Sequence, residues 1–120
     1  MQVGSIIVHS QHKELLSSFL CHVFDIQAQQ TEQGILMPFE NLKLLLIDPL
    51  KKSLKNKTYL TELEFFFENR EELRHIKEKL EFSWYRLTQT KIRLDDGIET
   101  FRIYDFDGRP WRFSILGGVS

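Results

Sequence analysis

The chain has 120 residues, 42% of them hydrophobic, and sixteen basic against seventeen acidic side chains give a formal charge of -1. That length holds one domain or two small halves, the apolar content excludes a disordered chain, and the balanced charge excludes the general attraction on which nucleic-acid and anionic-membrane binders depend. A lone cysteine, Cys21, excludes an internal disulfide; with no basic n-region and apolar run at the start and no stretch near the roughly 20 residues of a bilayer span, a soluble cytoplasmic protein is expected.

In chain order, the β-branched run Gly4-Ser5-Ile6-Ile7-Val8-His9 predicts a strand, and the Ser10 hydroxyl is suited to accept a free amide and start a helix. Over residues 11–24, Leu15, Leu16, Phe19, Leu20 and Val23 recur at the spacing of one buried helical face, while Lys13, Glu14, Ser17, Ser18 and His22 fall elsewhere. Residues 26–48 are strand-like with turn breaks at Gly34 and at 38–41, which predicts three short antiparallel strands, the last over Leu42 to Ile47. Asp48-Pro49 stops that strand. Residues 51–57 have no periodic apolar face and read as a linker, their four lysines as a solvated loop rather than a phosphate site.

A strand is expected again over 59–67, and Asn69 followed three residues on by Glu72 is a capping-box start for a helix with the stripe Leu73, Ile76 and Leu80. After Phe82 further strands are predicted over 84–94, 98–105 and 111–116, separated by the hairpin signals Asp96-Gly97 and Asp107-Gly108. The whole reads as an α+β protein of two βαβββ modules, a repeat of about 58 residues in element order rather than identity: module one 1–50, linker 51–57 and module two 58–120. One helix per module covers one sheet face and leaves the other free to curl around a cup.

Certain segments carry a resemblance. Ile6-Ile7-Val8 leads into a helix with Phe19-Leu20-Cys21-His22-Val23-Phe24-Asp25, similar to a Phe-Tyr-x-x-Val-Leu-Gly pattern; Leu63-Glu64-Phe65-Phe66-Phe67 opens the second module; and Tyr104-Asp105-Phe106-Asp107-Gly108-Arg109-Pro110-Trp111-Arg112-Phe113 is similar to Phe-x-Asp-Pro-Asp-Gly-Asn-x-x-Glu-Leu. In that order, over nearly the whole chain, these resemble the vicinal oxygen chelate superfamily, which includes glyoxalase I, extradiol dioxygenases and the bleomycin and fosfomycin resistance proteins. The resemblance implies a single glyoxalase/bleomycin-resistance-like domain with a curved mixed sheet around a cup and the helices outside. It also implies a homodimer, with modules paired within one chain or exchanged between two.

Enzymes of that superfamily hold a metal in the cup with one side chain from the first and one from the last strand of each module. Here the resemblance puts Val3 (or Gly4, with the register moved by one), Leu45, Glu62 and Arg112 at those positions. Two apolar residues and an arginine, always cationic and without an acceptor lone pair, lead us to expect no metal and no other cofactor. By alternation the cup face carries His9 from the first strand, Glu62, Glu64 and Phe66 from the fifth, and Arg112 and Ser114 from the last.

Glu62 and Arg112 can pair bidentately, with Glu64 joining them; the pair is equally a structural closure of the cavity or a handle for an anionic or carbonyl-bearing ligand. His9 is a base or donor near neutral pH, or a residue capping the cavity. Phe66, Trp84 and Tyr104 pack the core or line the cup for an aromatic ligand. His12, His22 and His75 read as surface residues and Cys21 as structural.

The expected function is metal-free binding of a small aromatic or charged molecule by His9, Glu62, Glu64, Phe66, Trp84, Tyr104 and Arg112, with no catalytic residue assigned. The alternatives are a lyase, isomerase or dioxygenase of the same fold, using a displaced metal or Glu62 as acid and base, and a module whose sheet or lysine loop docks a protein.

Overall fold

The computed structural model describes residues 4–49 and 62–116; the expected linker, 51–57, lies outside them, as do Val3 and residues 59–61. The chain divides into two compact units, Met1–Thr58 and Tyr59–Ser120.

In the first unit the order is β1 (Ile6–His9), α1 (Lys13–Phe24), β2 (Gln29–Gln30), β3 (Ile35–Pro38) and β4 (Lys43–Ile47). The sheet runs β1-β4-β3-β2, with β1 parallel to β4, Ile6 opposite Leu44, and the β2-β3-β4 pairs antiparallel. The predicted apolar stripe of α1 is buried at Leu16, Phe19, Leu20 and Val23, against Val8, Ile35, Met37, Leu44 and Leu46. Leu15 departs from the prediction at 41% exposed, and Ser17 is buried in its stead, its hydroxyl donating to Met37 Sδ at 3.4 Å. Both sit about 100° from Leu16 around the helix, and the sheet covers only the Ser17 flank.

Ser10 does accept an amide, from His12 at 3.0 Å, yet α1 begins at Lys13 with His12 as N-cap. The Ser10 N–H donates to the Ile47 carbonyl at 2.9 Å, which keeps Ser10 with the sheet. Gly34 is required by close approach: a Cβ there would strike the Leu46 carbonyl and come within 2.9 Å of Ile47 Cγ2.

The second unit repeats the plan with β5 (Leu63–Phe67), α2 (Arg70–Thr88), β6 (Leu94–Gly97), β7 (Thr100–Tyr104) and β8 (Pro110–Ile115). The sheet order is β5-β8-β7-β6, β5 parallel to β8 and the other pairs antiparallel. Each unit is therefore a four-stranded mixed sheet with one helix, as the βαβββ reading expects. Leu73 and Leu80 of α2 are buried with Ile92, Phe101, Ile103, Trp111 and Phe113. Aromatic rings on neighbouring strands stack across this face, Phe101 on Phe113 at 5.0 Å and Phe65 on Phe113 at 5.5 Å between centroids.

Asn69 caps α2 as expected, its side chain accepting from the Glu72 N–H at 2.9 Å, while Glu72 Oε2 accepts from the Glu68 N–H at 3.2 Å. The far end corrects the sequence reading. Residues 84–88, predicted to begin a strand, continue the helix to Thr88. Aromatic and β-branched composition suggested a strand, but the helical spacing goes on: Ser83 is buried and Trp84 stacks on Phe106 at 4.3 Å. The stop is Gln89 in the left-handed region, φ 62°, its N–H bonded to the Tyr85 carbonyl, so no glycine marked it. The next hairpin also shifts: Gly97 stays in β6, paired with Thr100, and the tight loop is Ile98-Glu99, with Glu99 at φ 57°.

Candidate functional site

Strand alternation divides the side chains of the second sheet. With Phe101, Ile103, Trp111 and Phe113 in the core, the opposite face carries Glu64 and Phe66 of β5, Thr100, Arg102 and Tyr104 of β7, and Arg112 and Ser114 of β8. Register arranges them in rows: Glu64, Arg112, Arg102 and Asp95 lie side by side across the four strands, and Phe66, Ser114, Thr100 and Gly97 form the next row.

Three hydrogen-bonded groups result. Arg102 donates to Glu62 through two nitrogens, Nε to Oε1 at 2.8 Å and Nη2 to Oε2 at 3.3 Å. The Glu62 hydrogen bond, followed by that with Tyr104, holds the Arg102 guanidinium above its usual pKa. Arg112 reaches the same carboxylate more loosely, its Nε 3.4 Å from Glu62 Oε1 with its side chain 43% exposed. Ser114 Oγ donates to Glu64 Oε2 at 3.1 Å and lies 2.9 Å from Thr100 Oγ1. Tyr104 donates to Asp95 Oδ2 at 2.7 Å, with the Arg93 guanidinium 3.9 Å above its ring centroid.

The turn before β8 fixes where Arg112 falls. Asp105 is buried and accepts from the Asp107 and Arg109 N–H groups through Oδ1 at 2.8 and 3.0 Å, and from Arg109 Nη1 and Trp111 Nε1 through Oδ2 at 3.1 and 2.8 Å. Burial pushes its carboxyl above the usual aspartate value, while the Trp111 hydrogen bond and the Arg109 charge pull it back. Gly108, at φ 79°, supplies the left-handed residue of this turn.

An open hollow of about 560 Å³ lies over the polar rows, lined by Glu64, Phe66, Ile98, Thr100, Arg112 and Ser114 among others. Of the residues expected at a site, Glu62, Glu64, Phe66, Tyr104 and Arg112 do gather on this face. The bidentate partner of Glu62 is Arg102, not Arg112, and Glu64 bonds Ser114 rather than joining that pair. Trp84, expected in a strand, is on α2 against Phe106 and does not line the hollow. His9 is at the end of β1 in the first unit, its Nδ1 3.5 Å from the Asp48 carbonyl. Sequence reasoning missed Arg102, Thr100 and Asp95; the first two share the parity of Tyr104 on the strand expected over 98–105, so alternation along that strand carried the signal that finds them.

A metal does not suit these residues. Among the described residues no group of three His, Cys, Asp or Glu side chains is placed to hold one. Glu62 is occupied by two guanidiniums, whose charge opposes a divalent ion. Leu45, between the buried Leu44 and Leu46 of β4, has no donor, and Val3 is outside the described residues. No helix among them is long and apolar enough to cross a membrane.

No family model and no curated protein matches the sequence. Solved structures do match. The fosfomycin resistance protein FosX from Listeria monocytogenes is 14% identical, with 96% of this chain and 93% of that one covered and a TM-score of 0.67. Lactoylglutathione lyase from Agrobacterium tumefaciens is 12% identical over 95% and 92%, TM-score 0.64, and an integron cassette protein of V. cholerae is 15% identical over 96% and 94%, TM-score 0.68. A variant of the Listeria protein was solved with Mn(II) and 1S,2S-dihydroxypropylphosphonic acid. The fold of this chain is that of the vicinal oxygen chelate superfamily.

Proposed function

We propose that the protein binds a small organic anion without a metal, on the open face of the second sheet, through the Arg112 guanidinium. The observation that carries this is the unequal sharing of Glu62. Arg102 takes both its oxygens, so Arg112 touches it by Nε alone, and among the described residues both Nη groups of Arg112 are left without a protein partner. A guanidinium edge with two parallel donors matches a carboxylate or phosphonate, and it lines a hollow within the about 300–1,000 Å³ range of small-molecule sites. Phe66 and Ile98, 53% and 92% exposed, give the ligand an apolar wall.

The enzyme alternative with Glu62 as acid and base needs a free lone pair where two guanidiniums already sit. A closed or filled cup would favour the docking-module alternative, and the open hollow supports the small-molecule reading instead. A homodimer and a cytoplasmic location remain part of the proposal; sedimentation should give twice the 14.3 kDa of the chain. The binding test is a thermal-shift survey of aryl carboxylates and phosphonates on protein dialysed against chelator. Stabilisation of wild type but not of Arg112→Ala supports the reading, and stabilisation that appears only with added Mn²⁺ overturns it.

A further inference from the structure

Glu64 and Arg112 are direct neighbours in register on β5 and β8, both line the hollow, and they are not paired with each other. Arg112 turns to Glu62 and Glu64 to Ser114. An anion-accepting and a cation-accepting group thus stand one strand apart with capacity left on each.

Hydrogen-bond inventory fixes what the acidic half offers. Ser114 has one hydroxyl proton, and the ionised Glu64 has none, so Ser114 donates to Glu64 Oε2. The 2.9 Å bond between Ser114 Oγ and Thr100 Oγ1 must then take its proton from Thr100. The chain runs Thr100 to Ser114 to Glu64, and it leaves lone pairs on Thr100 Oγ1 and, among the described residues, an unpartnered Glu64 Oε1. These are acceptors only, aligned by the row Phe66, Ser114, Thr100. An ammonium group, three donors and no acceptor, is the complement.

We infer that the ligand is a zwitterion of the α-amino-acid type, its carboxylate on the Nη groups of Arg112, its ammonium on Glu64 Oε1 and Thr100 Oγ1, and its apolar side chain against Phe66 and Ile98. This rests on the reading of Arg112 as the anion site and adds the charge of the second group. The neighbouring positions suit it: carboxylate and ammonium are both carried by the one α-carbon of such a molecule, and the two receiving side chains sit on adjacent strands about 4.8 Å apart. Since Glu64 and Arg112 have no mutual ion pair, none is broken on binding.

The test uses three probes with the same ring: L-phenylalanine, 3-phenylpropanoate, which lacks the ammonium, and 2-phenylethylamine, which lacks the carboxylate. Titration calorimetry should show phenylalanine binding wild type at least tenfold more tightly than either. Glu64→Gln should bring phenylalanine down to the level of 3-phenylpropanoate while leaving the latter unchanged or tighter, and Thr100→Val, which removes an acceptor without touching the carboxylate, should weaken phenylalanine alone. Tryptophan fluorescence checks that each variant is folded. If 3-phenylpropanoate binds wild type as well as phenylalanine does, and Arg112→Ala weakens it, the zwitterion inference is overturned and the anion site stands. If neither carboxylate binds, or Arg112→Ala leaves binding intact, the anion site itself is wrong and the inference falls with it.

Discussion

Replacing Asp105 by Asn tests the turn that sets the start of β8, and with it the placement of Arg112. The carboxylate is fully buried beside Arg109, itself 6% exposed, and receives four donors, two on each oxygen. An asparagine keeps one carbonyl for two of them and turns an NH₂ toward the other two. Whichever way the amide sits, two hydrogen bonds are lost and donors face donors. If the backbone pair is retained, Arg109 loses its 3.1 Å hydrogen bond to this side chain, with the Asp107 carboxylate at 3.9 Å.

Breaking a buried ion pair costs about 3–5 kcal/mol, and release from burying a carboxylate returns part of that, so the net loss at neutral pH is about 2–3 kcal/mol. The assay is urea unfolding followed by tryptophan fluorescence, which reports on this unit because both tryptophans, Trp84 and Trp111, are in it. The pH dependence has a definite sign. Burial raises the Asp105 pKa in the folded state, so the protonation-linked part of its contribution is fully present below the ordinary aspartate value of about 3.9 and is lost as pH rises through the raised value, leaving the part from hydrogen bonds and pairing at neutral pH. The stability difference between wild type and Asp105→Asn should narrow over that interval. A loss under about 1 kcal/mol, or a difference that widens with pH, would refute the reasoning.

Three further outcomes follow from the packing. Gly34→Ala should destabilise the first unit by more than about 1 kcal/mol, since the new Cβ meets the Leu46 carbonyl; hydrogen exchange of the β4 amides reads this, and unchanged protection would contradict it. Asn69→Ala should cost about 1 kcal/mol through loss of the α2 cap, with Asn69→Ser recovering most of it in urea melts. A double-mutant cycle on Trp84 and Phe106 should give a coupling of about 0.5–1.5 kcal/mol; zero coupling would argue that α2 does not carry Trp84 onto Phe106.

Much of the fold is legible residue by residue because apolar periodicity is a direct image of burial. Leu16, Phe19, Leu20 and Val23 mark α1, and Asn69 with Glu72 marks the start of α2. What failed to read were ends set by tertiary contact or by unusual backbone. The last turn of α2 is held by a stack from a distant turn and closed by a left-handed glutamine. The Asp96-Gly97 signal is real as composition, but the loop is the next two residues.

Part of the site is legible in the same way. Glu62, Glu64, Phe66 and Arg112 are visible by counting from strands whose apolar partners are clear, and Arg102 and Thr100 are equally so, since they share the parity of Tyr104 on the strand expected over 98–105. That Arg102 rather than Arg112 holds Glu62 is a matter of side-chain reach over the intervening strand β8, which a linear pattern does not encode.

The most direct measurement is titration calorimetry of 3-phenylpropanoate into chelator-treated wild type and Arg112→Ala. The account predicts saturable binding to wild type, unchanged by removal or addition of Mn²⁺, and at least a tenfold loss in the variant. Equal affinity for both proteins, or binding only when Mn²⁺ is supplied, would contradict the claim that Arg112 holds the ligand without a metal.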